Sequence, residues 1–168
     1  VYCSSSSPSI ANCAIMENIA SGGGGVYCSS SSPTIANCTF LANSASGGGG
    51  IACIASSPTI INCTIAGNTG SSSGGGVVCL AASPTIANSL VAFNSSGIYR
   101  SGPGTLFLTH NCVYGNTDYN FAGVSDPTTT HGNISADPLF RSADPGPDTV
   151  WGTTDDVLDD LRLQAGSP

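Results

Sequence analysis

The chain has 168 residues, of which 40% are hydrophobic and only 8% charged; it contains no lysine and carries a net charge of −7. That length suits one domain with a real core, and the apolar share excludes a disordered tail. With three arginines as its whole basic complement, Arg100, Arg141 and Arg162, it has no electrostatic means of holding a phosphate backbone or an anionic lipid surface, so nucleic acid is excluded as a partner.

The first residues, VYCSSSSPSIANC, carry no basic stretch followed by an apolar one, so no signal peptide is legible. No apolar run reaches the ~20 residues needed to span a bilayer. The chain opens in the middle of its own repeat and stops abruptly at LQAGSP, and it reads as a piece of a longer protein. The repeat is marked by SP-[ST]-I-x-N, with Pro8, Pro33, Pro58 and Pro84 spaced 25, 25 and 26 apart. A fixed period of that size is the mark of a stacked-repeat architecture. Glycines, a proline and β-branched residues in every copy exclude helical repeats, which need an i, i+3, i+4, i+7 apolar pattern.

Period two fits instead. In the second copy Val26 and Cys28 flank Tyr27, Ile35 lies between Thr34 and Ala36, and Cys38 and Phe40 flank Thr39. Each unit therefore makes three short strands that point alternate side chains to one side. The result is a three-sided coil with Val26, Cys28, Ile35, Cys38 and Phe40 inside, and Ile51, Cys53, Ile60, Cys63 and Ile65 at the same places one coil on. One coil alone cannot offset its ordering entropy. Stacked coils hydrogen-bond to each other, and the near-identity of the copies keeps that stacking in register.

Four clear coils are expected at about 1–21, 22–46, 47–73 and 74–96, and a degenerate fifth at 97–123. In the fifth, either Asn111 or His110 matches Asn37; the His110 alignment is favoured because it keeps Leu108 and Val113 inward. Residues 124–168 are expected to cap the same domain, with Trp151, Leu158, Leu161 and Leu163 tucked under the last coil.

SPTIANCTFLANSASGGGG resembles the right-handed parallel β-helix repeats of the pectin-lyase-like superfamily found in microbial surface and secreted proteins. The resemblance runs by repeat over residues 1–116, and GNISADPLF and LRLQAGSP look like segments that close such domains. It implies an all-β right-handed parallel β-helix with three-strand coils, a ~25-residue period and a loop-rich C-terminal cap. It implies little about activity, because the fold carries lyases, hydrolases, adhesins and ice-binding proteins alike.

Columns of like residues follow from stacking. Cys3, Cys28, Cys53 and Cys79 form one; Cys13, Cys38 and Cys63, continued by Ser89, form another; Cys112 stands apart. These read as small apolar fillers. Stacked neighbours are close enough for bridges, but parallel Cβ vectors are poor for them; metal is disfavoured because the two columns lie on different sides. Asn12, Asn37, Asn62 and Asn88 share one corner, and Asn18, Asn43, Asn68, Asn94 and Asn116 another, both read as structural ladders. Asn-Cys-Thr at 37–39 and 62–64 has the form of a glycosylation acceptor, which an asparagine held in a ladder would not be free to serve.

Function is expected on outward columns. Tyr2, Tyr27 and Tyr99, with Ala52 and Val78 between them, could stack against sugar rings or a neighbouring domain. Thr34, Thr59 and Thr85 beside Ala36, Ile61 and Ala87 resemble an ice-binding face, or simply a solvated strand surface. Residues 1–116 hold one acidic side chain, Glu17, and one basic, Arg100, so no carboxylate pair is available for acid and base roles. His110 and His131 form no recognisable triad. Asp144, Asp148, Asp155 and Asp156, around Gly146 and Gly152, could gather round one Ca²⁺ or form a solvated acidic loop.

The expectation is a non-catalytic, rigid extracellular or cell-surface segment that supports adhesion or carbohydrate contact, flanked by further coils of a longer chain. The alternatives are a polysaccharide lyase or hydrolase whose catalytic residues lie outside this piece, and an ice-binding protein.

Overall fold

The computed structural model describes residues 1–71, 74–144, 157–163 and 165–168, with the backbone alone over 141–144 and 157–163. Every regular element among them is a β-strand. Three parallel sheets run along a solenoid. The first stacks Tyr2–Ser4, Val26–Ser29, Ile51–Ile54, Val77–Leu80, Ile98–Ser101 and Phe121–Ala122. The second stacks Ser9–Ala11, Thr34–Ala36, Thr59–Ile61, Thr85–Ala87 and Phe107–Thr109. The third stacks Ala14–Met16, Thr39–Leu41, Thr64–Ala66, Leu90–Ala92 and Cys112–Tyr114. A short fourth ladder, Ile19–Ala20, Ser44–Ala45 and Thr69–Gly70, adds a side to the three expected per coil over the first three turns.

Register follows the repeat residue by residue: Cys3 over Cys28, Cys28 over Cys53, Ile35 over Ile60, Phe40 over Ile65. Val26, Cys28, Ile35, Phe40 and their equivalents in the next turns are fully buried and form one continuous core. In the fifth turn Leu108 lies over Ile86 and Val113 over Val91, so His110 follows Asn88 as the alignment favoured. The first cysteine column ends at Arg100, which takes the position after Cys79 and donates through a guanidinium NH₂ to the Gly104 carbonyl.

Each turn bends at three corners, and each corner holds one residue at positive φ. These are Ser5, Ser30, Ala55, Ala81 and Gly102 after the first sheet, Asn12, Asn37, Asn62, Asn88 and His110 after the second, and Glu17, Ala42, Gly67, Phe93 and Gly115 after the third. The left-handed conformation turns the chain sharply without interrupting the hydrogen bonds between coils.

Stacking continues past residue 123. The His110 amide donates to the His131 carbonyl, Asn133 lies over Asn111, and Cys112 bridges Ile134. The chain then returns along the outside of the third sheet. Phe140 is buried against Ala66, Ala92 and Phe93 there, and an antiparallel pair, Phe140–Asp144 with Val157–Leu163, follows. At Phe140 the chain packs on a flank of the solenoid, and of Leu158, Leu161 and Leu163 only the backbone is described. Trp151 lies outside the described residues.

Candidate functional site

The two asparagine columns do different work. Asn43, Asn68 and Asn94 are 0% exposed. Each Oδ1 accepts both the backbone N–H and the side-chain amide of the asparagine one turn earlier. For Asn68 these bonds are 2.9 and 3.0 Å from Asn43. Each Nδ2 also reaches carbonyls of the wall: Asn68 donates to Phe40 and Ala66. Asn116 extends the column, and Asn18 is its exposed first member.

The other column faces solvent. Asn12, Asn37, Asn62 and Asn88 are exposed, and the amides of the first three form a single outer chain: Asn62 to Asn37 at 3.1 Å, Asn37 to Asn12 at 3.3 Å. The amides of Asn37 and Asn62 are thus held in a ladder, although both residues are exposed. Their side chains stand outside the wall because the positive-φ corner turns them there.

All eight thiols are free. Cys28, Cys53 and Cys79 are fully buried and Cys3 nearly so. Hydrogen bonds with the Cys28 and Cys79 thiols on either side, and then burial, push Cys53 well up from the ordinary value. In the second column Cys13, Cys38 and Cys63 each donate back to the carbonyl two residues earlier, at 3.2, 3.2 and 3.3 Å. Burial pushes the Cys63 thiol up to about 11. The same position becomes Ser89, then Asn111 and Asn133, whose side chains take up the amide of the preceding turn. Sequence reading missed Asn111 and Asn133 as column members; the replacement of cysteine by Ser89 was the available signal, since it marks a polar task at that corner.

The tyrosine column is in register but is not one continuous surface. Tyr2, Tyr27, Ala52, Val78 and Tyr99 stack in order, yet Ala52 and Val78 are 1% and 2% exposed because glycine bends close over them. Tyr99 is thereby separated from the other two. Tyr2 and Tyr27 form a stacked pair with centroids 5.5 Å apart and planes at 26°. Tyr27 lies on Gly22, where a Cβ would fall 2.6 Å from its ring. The pair borders a groove of about 630 Å³ that runs to Asn18, Ile19 and the bend at 21–24.

Thr34, Thr59 and Thr85 are also in register, with Thr34 and Thr59 exposed and Thr85 half-buried; Phe107 ends their column. A second groove, about 500 Å³, lies where the returning chain at Pro138 and Phe140 stands beside the Asn62–Asn88–His110 corner. Among the described residues neither groove is lined by an acidic side chain, or by a basic side chain other than the His110 imidazole.

With the coils, ladders and corners in place, the sequence profile of the right-handed β-helix region matches residues 1–136. The chain belongs to the right-handed β-helix family. Its fold agrees with the pectin-lyase-like resemblance. No curated protein and no solved structure matches the chain. Of the calcium candidates, Asp144 ends a strand, with its backbone alone described, and Asp148, Asp155 and Asp156 lie outside the described residues.

Proposed function

We propose that this β-helix is a non-catalytic, rigid extracellular or cell-surface segment that contacts carbohydrate through Tyr2 and Tyr27. The observation that carries the reading is the stacked tyrosine pair on Gly22, beside a groove that no charged side chain of the described residues lines. Aromatic faces held by a stiff sheet lose little entropy on contact and suit the C–H faces of sugar rings. Tyr99, two covered positions away, is not part of this platform. Among the described residues neither groove holds a pair of acidic side chains, which favours binding over glycoside chemistry.

A glycan array tests the reading. Binding should fall about tenfold, or ~1.4 kcal/mol, in Tyr27→Ala. It should fall also in Gly22→Ala, which displaces the ring without removing it. An array on which the wild-type chain retains no glycan sinks the proposal. Unsaturated product appearing by ultraviolet absorbance from polygalacturonate would favour the lyase reading instead. The in-register threonines favour a second reading, ice binding; it requires thermal hysteresis that Thr59→Tyr abolishes.

A further inference from the structure

We propose that the groove between the second corner and the returning chain binds an uncharged sugar, through Asn62, Asn88 and His110. The outer amide chain that runs from Asn62 through Asn37 to Asn12 does not extend to Asn88. The Asn88 amide makes no hydrogen bond to the described residues, and the Asn62 Oδ1 accepts none. The break falls where the groove begins, and both residues line it.

His110 supplies the third free group. The Thr109 hydroxyl donates to the His131 carbonyl at 3.1 Å, so its oxygen is left to accept from His110 Nδ1 at 2.8 Å. With the Nδ1 proton directed at Thr109, Nε2 is left as the ring's acceptor. Its position is set by Gly132, at positive φ, where a Cβ would fall 2.5 Å from the ring. One acceptor, one amide and one further acceptor therefore stand on successive turns, ~4.8 Å apart. Leu90, Ile134 and Phe140 provide the apolar side.

Such a set matches a ligand that offers hydroxyls on one edge and C–H groups on the other. A volume of about 500 Å³ lies in the usual range for small-ligand sites. Among the described residues no arginine or lysine side chain lines the groove, so a uronate would lose hydration without gaining a counter-charge from them. The choice of ligand class rests on the carbohydrate reading above, but the groove shares no residue with the tyrosine platform.

The test is titration of ¹⁵N-labelled protein with cellohexaose, xylohexaose and mannohexaose, and with hexagalacturonate as the charged control. At least one neutral hexasaccharide should shift the Asn62 and Asn88 side-chain amides and the His110 ring, and hexagalacturonate should not. Asn88→Gly keeps the corner conformation and should raise the dissociation constant about tenfold or more. Asn88→Asp, with the same shape and an added charge, should do the same if the glycine variant folds poorly; Tyr27→Ala should leave this affinity unchanged. No shift with any neutral hexasaccharide, shifts with hexagalacturonate alone, or full affinity in both Asn88 variants overturns the proposal. Shifts confined to Tyr2 and Tyr27 overturn it too, while leaving the tyrosine platform standing.

Discussion

Two columns of asparagine run along this solenoid, one turn of chain per step, and they share almost nothing but the residue. Asn43, Asn68 and Asn94 sit inside the wall and satisfy backbone groups of two neighbouring turns. Asn37 and Asn62 sit outside it and mainly supply a side chain that tolerates positive φ, at 54° and 53°. The first column is held by burial, where an unmet donor or acceptor is costly. The second is held by backbone geometry, where a Cβ-bearing residue other than Asn or Asp is strained. The same residue type thus answers to two different free-energy terms within a few residues of chain.

The largest test of this contrast is Asn68→Ala. It strips partners from the Asn43 amide and from the Phe40 and Ala66 carbonyls together. The expected loss is about 4 kcal/mol, read from the urea midpoint. A loss below ~1 kcal/mol would erase the distinction between the columns.

Cys63, next to exposed Asn62 but turned inward, sharpens it by pH. Its thiol is pushed up to about 11 in the fold by burial. A raised pKa means that the folded state holds the proton more tightly. The stabilisation is therefore complete below the ordinary thiol range and is lost as pH climbs from about 9 to about 11. The loss should be on the order of 2 kcal/mol, and Cys63→Ser should flatten this part of the pH profile of the urea midpoint.

The outer column should respond to conformation alone. Asn62→Ala should cost about 1 kcal/mol, because alanine resists the left-handed corner, whereas Asn62→Gly should cost under ~0.5 kcal/mol. If the two variants melt together, positive φ is not what holds that column.

Much of the coil was legible. Val26, Cys28, Ile35 and Phe40 alternate with polar neighbours, and their equivalents recur at a fixed spacing, so strands, inward residues and register could all be read before any coordinates. The candidate surfaces were legible only as columns. Tyr2, Tyr27 and Tyr99 do align, but the closing of glycine bends over Ala52 and Val78 depends on how the corner backbone packs, which periodicity does not encode. The Asn62–Asn88–His110 groove was out of reach altogether, because its far wall comes from Pro138 and Phe140, outside the repeat.

The amino-acid order by itself determined that successive turns superpose, since a period of about 25 residues with like side chains at like positions leaves only one register in which apolar groups meet apolar groups. Only the tertiary structure decided which asparagines lie within the wall and where the chain returns after the last coil. Burial of a corner side chain depends on the direction that its own φ gives the Cβ, and the resting place of Phe140 on the flank depends on the pocket made by Ala66, Ala92 and Phe93 from separate turns.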